Sequence, residues 1–463
     1  MTFELEPKRV PKIFDQRIAE EVTNAFSESP KNLRNFFAAV ASCSPFLYSQ
    51  ILKEKRWLLD IIEDKNFNIL SLLEHLKLEP FDALYLKLRK AKKRAALWVA
   101  LNDLAGVWSL EAVTKNLSVF AEKAINLSWH ASFRKELNKG KFPTHYHLDP
   151  DGVGFFILAM GKLGAYELNY SSDIDLICFF DEDLYSPEEF QNVRRTFINA
   201  TKNLYRVLNE NGKDGYVFRT DLRLRPDPSV TPVCMGVDAA ERYYASLGRT
   251  WERAAFIKAR VCAGDHSAGN KFLKNIEPFI WRKYLDYTAI SDAHDIRLRI
   301  RDHYKTKIGE ITLPKHNMKL GRGGIRDIEF FTQTHQIIFG GRDETIRSRE
   351  TVSSLRAISD KKWLPNGLVK DLIENYRFYR TIEHRLQMIN DAQTHELPSS
   401  EQGFVRLACL MGKEKEDLKK ELFERLSKTN SEIEGFFEPQ NTRQISQNIS
   451  VPKEFEDQFV TWA

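Results

Sequence analysis

The chain has 463 residues, of which 42% are hydrophobic and 29% are charged, and its formal net charge is +5. The length is too great for one compact core and predicts two to four domains, while the composition is ordinary for a globular protein. The small positive charge would not oppose binding of an acidic protein or a nucleotide, but no basic tract with interleaved aromatic residues supports a nucleic-acid partner.

Cysteine usage and hydropathy indicate the cellular compartment. The five cysteines are widely scattered without paired spacing, which favours a reducing compartment over a disulfide framework or a zinc site. No long uncharged apolar stretch predicts a membrane span. The N-terminal sequence MTFELEPKRVPK lacks the apolar core of a signal peptide. We therefore expect a cytoplasmic protein with no membrane partner.

Residues 1–140 are predicted to form an N-terminal helical domain. Leu33, Phe36 and Val40 follow helical spacing, and a second apolar stripe runs through residues 84–104. The basic run at residues 89–94 lies within that stripe and is interpreted as a solvated helix face. The loop that follows contains two histidines, His145 and His147, but no further metal ligands lie nearby in sequence, so a metal site is not expected there.

Residues 141–270 alternate between predicted strands and helices and carry the most informative motif, GKLGAYELNYSSDIDL at 161–176. Asp173 and Asp175 begin an apolar run, and because side chains alternate along a strand, both carboxylates are expected on one face. Such a pair can hold a hard cation such as Mg²⁺, which prefers oxygen ligands and works with substrate phosphates. Gly161 ends the preceding apolar run and allows a phosphate to approach the backbone closely.

The segment YVFRTDLRLR at 216–225 alternates in the same way and is predicted to be a strand. Arg219, Asp221, Arg223 and Arg225 fall on one face, opposite an apolar face. We interpret Asp221 as a third metal-site carboxylate beside phosphate-binding arginines. An exposed edge strand with salt bridges is the alternative.

Residues 271–438 are predicted to form a C-terminal helical bundle. The helical intervals are Ile276–Thr288, Ser291–Lys307, Ile325–Phe339, Leu368–Ile389 and Lys415–Phe437. A glycine turn precedes the third interval, so Arg326 with that turn is a candidate anion site at a helix N-terminus. Asp327 and Glu329 are equally well explained as first-turn carboxylates matched to the helix dipole. Residues 439–463 are interpreted as a linker and the start of a missing second half.

The 161–176 motif is similar, nearly residue for residue, to the family of the bifunctional glutamine synthetase adenylyltransferase/adenylyl-removing enzymes. Four further segments agree with that family in order: FRTDLRLRPD at 218–227, RTWERAAFIKARVCAGD at 249–265, LGRGGIRDIEFFTQTHQIIFGG at 320–341 and IEHRLQMINDAQTHELP at 382–398. The resemblance implies an α+β, mostly helical fold. It would contain a nucleotidyltransferase domain of the polymerase-beta type with a small mixed sheet, flanked by helical domains.

The resemblance is to the N-terminal, adenylyl-removing half of the family, because ELNYSSDIDL is the form of that half and the attaching half reads closer to ELGYGSDLDL. A shortened form of a longer protein is expected rather than a natural single-activity protein. The implied reaction is phosphorolysis of adenylyl-tyrosine on glutamine synthetase, with inorganic phosphate as nucleophile and ADP as product. Asp173, Asp175 and Asp221 would be catalytic residues holding Mg²⁺.

Other residues are expected to bind substrate or phosphate if the resemblance holds. The full set is Gly161, Lys162, Ser172, Arg219, Arg223, Arg225, Lys258, Arg260 and Arg326. Lys258 and Arg260 share one face if their segment is a strand, although an ion-pair network supporting the site explains them equally well. The role of Glu252 stays open, and Glu167 is left outside the chemistry.

The implied partners are glutamine synthetase, nucleotide and phosphate, and a PII-type signal protein, with the uridylylated form favoured and 2-oxoglutarate as a further effector. Nothing in the residue spacing locates the PII contacts. Two other functions remain open. One is ATP-dependent adenylylation at the same site, and the other is a regulatory module that binds signal protein or nucleotide without turnover.

Overall fold

The computed structural model describes residues 6–64, 67–77, 79–143, 149–282 and 311–437, and the elements are numbered through these residues. The N-terminal part is entirely helical. Helices α1 to α7 are Gln16–Ala25, Lys31–Cys43, Pro45–Lys53, Lys55–Glu63, Ser71–Glu74, Phe81–Leu104 and Leu110–Leu137. Ser44 shows why one of these helices begins where it does, because its side chain accepts from the amide of Leu47 and caps α3.

The middle part contains five strands with short helices between them. Strands β1 to β5 are Phe155–Ala159, Ile174–Phe180, Thr220–Asp221, Cys234–Gly236 and Arg260–Gly264. Helices α8 to α13 are Gly161–Gly164, Phe190–Asn209, Val237–Ser246, Thr250–Phe256, His266–Asn275 and Glu277–Ile280. A 3₁₀ turn, Glu182–Leu184, follows β2.

The strands form one mixed sheet in the order β3-β2-β1-β5. β1 is antiparallel to both of its neighbours, whereas β3 and β4 each run parallel to β2 along one edge. Side chains alternate between two apolar layers. Phe155 and Ile157 face a core shared with α6, α7 and α9, and Phe156 and Leu158 face one shared with α10 to α13. Helices therefore cover both faces of the sheet, which holds β1 and β2 rigidly.

The C-terminal part is again helical. Helices α14 to α18 are Ile325–Phe339, Thr351–Asp360, Asn366–Asn390, Glu401–Met411 and Lys415–Phe437, with a 3₁₀ turn at Glu344–Ile346. They share an apolar core of their own. The N-terminal helices contact this part directly, since Met388 of α16 and Leu410 of α17 belong to the core built by α1 to α4 and α6.

The predicted fold class, α+β and mostly helical with a small mixed sheet, is confirmed. The predicted intervals Ile325–Phe339 and Lys415–Phe437 agree with helices α14 and α18, and Leu368–Ile389 lies within α16. Ser291–Lys307, much of Ile276–Thr288, and the loop residues His145 and His147 lie outside the described residues, as does the predicted linker. No described helix is long and apolar enough to cross a membrane.

The strand predicted at 216–225 is wrong in extent, because only Thr220 and Asp221 pair with β2. The chain turns immediately after them. Asp221 Oδ1 accepts from the backbone amide of Arg223 at 2.8 Å, a local side-chain turn that competes with strand pairing. Beyond the turn, Asp227 adopts a φ of 39°. The alternation of residue types was therefore a poor guide past residue 221.

A buried ion pair joins α6 to α16. Both Nη atoms of Arg385, which is fully buried, donate to the carboxylate of Asp103 at 2.6 and 2.7 Å. Burial works to raise the pKa of Asp103, but Arg385 and His384 outweigh it and hold that pKa well below its usual value. The pair fixes the last turns of α16 against the N-terminal helices.

We expect Asp103→Asn to destabilise the protein by about 3 kcal/mol at neutral pH, because Arg385 would stay charged and buried without its carboxylate. Since the folded-state pKa of Asp103 is depressed, its stabilisation is present above the ordinary pKa of about 4 and is lost as the pH falls below it. The difference in the free energy of unfolding between wild type and variant should therefore become smaller in acid. Thermal melts across that pH range measure it.

The matched control is Asp82→Asn, which removes an exposed carboxylate from the first turn of the same helix. It should cost less than about 1 kcal/mol. Equal losses of stability in the two variants would contradict the stabilising role given to Asp103.

Candidate active site

A pocket of about 220 Å³ lies where the sheet edge meets the C-terminal helices. It takes residues from the 161–175 segment, from β3 and the turn after it, from α11 and the segment that follows it, from α14 and the segment before it, and from the segment after α16. Its lining is Gly161, Lys162, Ser172, Asp173, Asp175, Asp221, Arg223, Leu224, Ala255, Lys258, Lys319, Arg326, Glu329, Gln333, Gln393 and His395. Nine of the predicted site residues are thus brought together in one cavity.

Three carboxylates line the sheet side of this pocket. Asp175 lies directly opposite Asp221 across the β2–β3 pairing. Asp173, just before β2, accepts from Arg219 Nε at 2.6 Å and from Gln393 Nε2 at 2.8 Å. The two oxygens of Asp221 accept from the Arg223 guanidinium at 2.7 to 3.1 Å. Two of the three carboxylates are therefore already paired with arginines.

Asp175 differs from the other two carboxylates. Within the described residues its side chain accepts no hydrogen bond, and burial, followed by the charges of Asp221 and Asp173, raises its pKa to about 7. Gly161, at φ +51°, lies beside it, and a Cβ on that glycine would stand 3.1 Å from Asp175 Oδ2. The glycine therefore allows the backbone to approach the carboxylate closely.

The three carboxylates suit a divalent cation by chemical type, because they bring hard oxygen donors together in one pocket. Across the ranges that the structure describes, however, no group of three or more acidic, histidine or cysteine side chains forms a ready metal cage. The arginines on Asp173 and Asp221 occupy the oxygens that a cation would use. Predicted metal binding by this trio stays a prediction.

Four cations, Lys162, Lys258, Lys319 and Arg326, also line the pocket. Burial lowers the pKa of Lys162 to about 8, and it also lowers the pKa of Lys319 and Arg326. Burial works the same way on Lys258, but Glu167 and Glu329 outweigh it and raise that pKa. A concentration of partly desolvated positive charge is the usual setting for a phosphate group.

Lys258 is the centre of a buried ion-pair network. Its ammonium donates to Glu167 at 2.8 Å, to the hydroxyl of Thr351 at 3.2 Å and to Glu329 at 3.5 Å. The network joins the 161–172 segment to helices α14 and α15. These contacts support the interpretation of Lys258 as part of an ion-pair network, and the residue also lines the pocket.

The structure does not bring Arg225 or Arg260 to the pocket. The Arg225 guanidinium donates to three backbone carbonyls, those of Leu222, Pro228 and Thr231, and holds the loop after β3. Arg260 begins β5, whereas Lys258 precedes the strand, so the two do not share a face. Arg260 lies 3.8 Å from the Tyr166 ring centroid and pairs with a glutamate of α7. Arg219 lies behind Asp173, in an adjacent groove.

Sequence reasoning missed the contribution of α16 and the segment after it. Fully buried Glu383 accepts from Lys162 at 3.3 Å, and its Oε1 is 2.6 Å from His395 Nδ1. Arg380, one turn earlier, donates to the backbone oxygen of Glu167 and to the side-chain oxygen of Asn169. The sequence did carry a signal for this contribution. Charged residues lie on faces of the predicted helix that an ordinary surface helix keeps apolar.

A family model described as Glutamate-ammonia ligase adenylyltransferase matches residues 35–275, just over half of the chain. The chain belongs to that family. A second model, described as GlnD PII-uridylyltransferase, matches residues 294–440.

Three similar curated proteins carry the name bifunctional glutamine synthetase adenylyltransferase/adenylyl-removing enzyme. The protein of Bradyrhizobium diazoefficiens is 40% identical over 413 residues, which is 88% of this chain and 41% of that protein. Those of Rhizobium meliloti and Bartonella quintana are 47% identical over 327 residues and 41% identical over 401 residues, covering 70% and 85% of this chain and 33% and 41% of theirs. The chain spans about two fifths of the length of these relatives.

Within this adenylyltransferase-family chain, we expect Lys258→Met to destabilise the protein by about 3 to 5 kcal/mol, because Glu167 and Glu329 would remain buried without their shared cation. Thermal or urea unfolding measures the loss.

Lys271→Met is the matched control, since that lysine is 65% exposed and lies 3.7 Å from Asp181. An exposed pair of this kind contributes less than about 1 kcal/mol. If both lysine variants unfold alike, the network is not the support that its contacts indicate.

Proposed function

We propose that this chain removes AMP from adenylylated glutamine synthetase by phosphorolysis. The observation that carries the proposal is one pocket lined by two sets of charges, the three sheet-side carboxylates and the four cations that form a cation zone. A phosphoryl-transfer site that uses free phosphate needs both, because two anionic groups must approach each other. The form of the ELNYSSDIDL segment, which resembles the adenylyl-removing half of the family, supports this direction of reaction.

Each set of pocket residues would bind a different group of the reaction. Asp173, Asp175 and Asp221 would hold Mg²⁺, which when bound neutralises phosphoryl oxygens during transfer. Gly161, with its backbone at positive φ beside Asp175, and the nearby Ser172 would contact the α-phosphate. Lys162, Lys258, Lys319 and Arg326 would hold the phosphate nucleophile against the repulsion of the phosphodiester.

The reaction needs little covalent assistance from the protein. An oxygen of the phosphate dianion attacks the α-phosphorus in line, and the tyrosine oxygen leaves with the bonding electron pair. A phenol has a pKa of about 10, so the leaving group is reasonably good. Positioning and charge neutralisation are therefore the main demands, and the arrangement of buried cations meets both.

Regulation by a PII-type protein is part of the proposal. The match of residues 294–440 to a PII-uridylyltransferase family model supports it, because that stretch includes the helices that complete the pocket. An effector that moved α14 or α16 would change the cation zone directly.

A second candidate is adenylylation of glutamine synthetase from ATP. The cation zone favours it as well, since the pyrophosphate leaving group of that reaction would need the same positive charge.

One assay separates the two functions. The purified chain is incubated with adenylylated synthetase and inorganic phosphate, and in parallel with unmodified synthetase and labelled ATP, each with and without Mg²⁺. We expect phosphate-dependent ADP release in the first arm. Label incorporation in the second arm alone would refute phosphorolysis.

Asp175→Asn is expected to reduce phosphate-dependent ADP release at least about 1,000-fold, because the variant loses a charge at the point where the metal and the α-phosphate meet. Asp238→Asn, which changes an exposed carboxylate on α10, serves as the control and should retain full activity. Retention of activity by Asp175→Asn would place the reaction elsewhere.

A further inference from the structure

The segment that follows α16 enters the candidate active site. Helix α16 ends at Asn390, and the C-cap residue Asp391, with a φ of 50°, turns the chain sharply. Two residues later, Gln393 donates to Asp173, and two further on, His395 lines the pocket. The backbone there is fixed, since the oxygen of His395 accepts from the amide of Met318 at 2.7 Å. The proposed function assigns no role to this imidazole.

The partner of His395 determines which ring nitrogen carries a hydrogen. Nδ1 lies 2.6 Å from an oxygen of Glu383, which is fully buried. Burial works to raise the pKa of Glu383, but Lys162 and His395 outweigh it and hold that pKa well below its usual range. An ionised carboxylate can only accept, so Nδ1 must donate. The lone pair of the neutral imidazole then resides on Nε2, the nitrogen left for the pocket.

The surroundings of His395 keep the imidazole neutral. Burial lowers its pKa, which the hydrogen bond to Glu383 only partly opposes, and Lys319 and Lys162 lower it further. The charged groups that line the pocket around it are Lys162, Asp173, Asp175, Asp221, Arg223, Lys258, Lys319, Arg326 and Glu329, with Glu383 and Arg380 behind it on α16. His395 is thus a proton acceptor set among the cations proposed to hold phosphate.

We propose that His395, oriented by Glu383, accepts the proton of the phosphate nucleophile. The proposal rests on the phosphorolysis described above. As an oxygen of hydrogenphosphate forms its bond to the α-phosphorus, the bond from phosphorus to the tyrosine oxygen breaks. The hydrogenphosphate proton passes to Nε2 and is then released, and the departing phenolate takes up one proton. One proton is lost and one gained, so hydrogenphosphate and the phosphodiester give ADP and the free tyrosine.

The same geometry gives His395 a selective role. A ring nitrogen that can only accept favours an anion bearing a hydroxyl, and it orients that hydroxyl away from the α-phosphorus so that an ionised oxygen faces it. Lysines alone would bind phosphate without fixing this orientation, because an ammonium is a point charge with rotating donors. Glu383 is a positioning residue in this account, and His395 is the catalytic one.

The test compares wild type with His395→Gln and His395→Ala in phosphate-dependent ADP release from adenylylated glutamine synthetase. We expect kcat to fall about 100-fold or more in both variants, the usual loss for a general base, with little change in the KM for the protein substrate. Added imidazole should restore part of the rate of His395→Ala. His266→Asn, an exposed change at the start of α12, is the control.

The rates of wild type and His395→Gln are measured from about pH 5 to 9. Their ratio cancels the effect of phosphate ionisation, which is the same for both proteins. For a base whose pKa lies below the ordinary value of a histidine, the ratio is largest above that pKa and falls as His395 is protonated in acid. Glu383→Gln should make the rate less dependent on pH over the same range. If this variant fails to fold, the His395 variants still test the proposal.

Three outcomes would overturn the proposal. These are full activity in His395→Gln, a loss confined to the KM for phosphate without imidazole rescue, and a ratio that rises in acid, which would make His395 an acid for the phenolate. If wild type itself releases no ADP, the proposed function fails instead, so the two failures are distinguishable.

Discussion

The structure depends on the buried charged face of α16. Arg380 binds the backbone and side chain of the 167–169 segment, Glu383 binds Lys162, and Arg385 binds Asp103 of α6. Groups that are this deeply buried are stable only when each charge has a partner, so displacement of the helix would leave buried charges unpaired. The position of the helix clamps the glycine turn and the carboxylate strand between the N-terminal and C-terminal helices.

This constraint explains why the candidate pocket cannot be assigned to the sheet alone. The sheet supplies the carboxylates, but Lys319, Arg326 and His395 come from the part of the chain after residue 311. A sheet of five short strands has too little surface to enclose a phosphate on all sides, and only packed helices exclude enough water to strengthen the electrostatic interactions inside. The α16 contacts are thus a structural condition for the chemistry proposed.

Local patterns in the sequence predicted what depends on local physics. Helical periodicity located α14 and α18, and the two-residue spacing of Asp173 and Asp175 placed both in one pocket. The pattern failed at residues 216–225, where an aspartate side chain turns the chain after two strand residues. It also misplaced Arg260, because the strand begins at that residue and not before Lys258. A short turn formed by one side chain leaves no periodic signal.

The roles of Glu383, His395 and Lys319 could not be read in this way, since each depends on contacts between segments far apart in the chain. Lys162 meets Glu383 across 221 positions, and Gln393 meets Asp173 across 220. The 382–398 segment was recognised as a family motif, yet its apolar residues alone would explain a helix in a bundle. What sets it apart is charge, because a buried helix that keeps arginine, glutamate and histidine in adjacent turns must pair them. Glu383 pairs with Lys162 and His395, which line the pocket, whereas Arg385 pairs with Asp103 outside it. The helix therefore supports the site through Glu383, and the segment that follows it supplies Gln393 and His395 to the pocket.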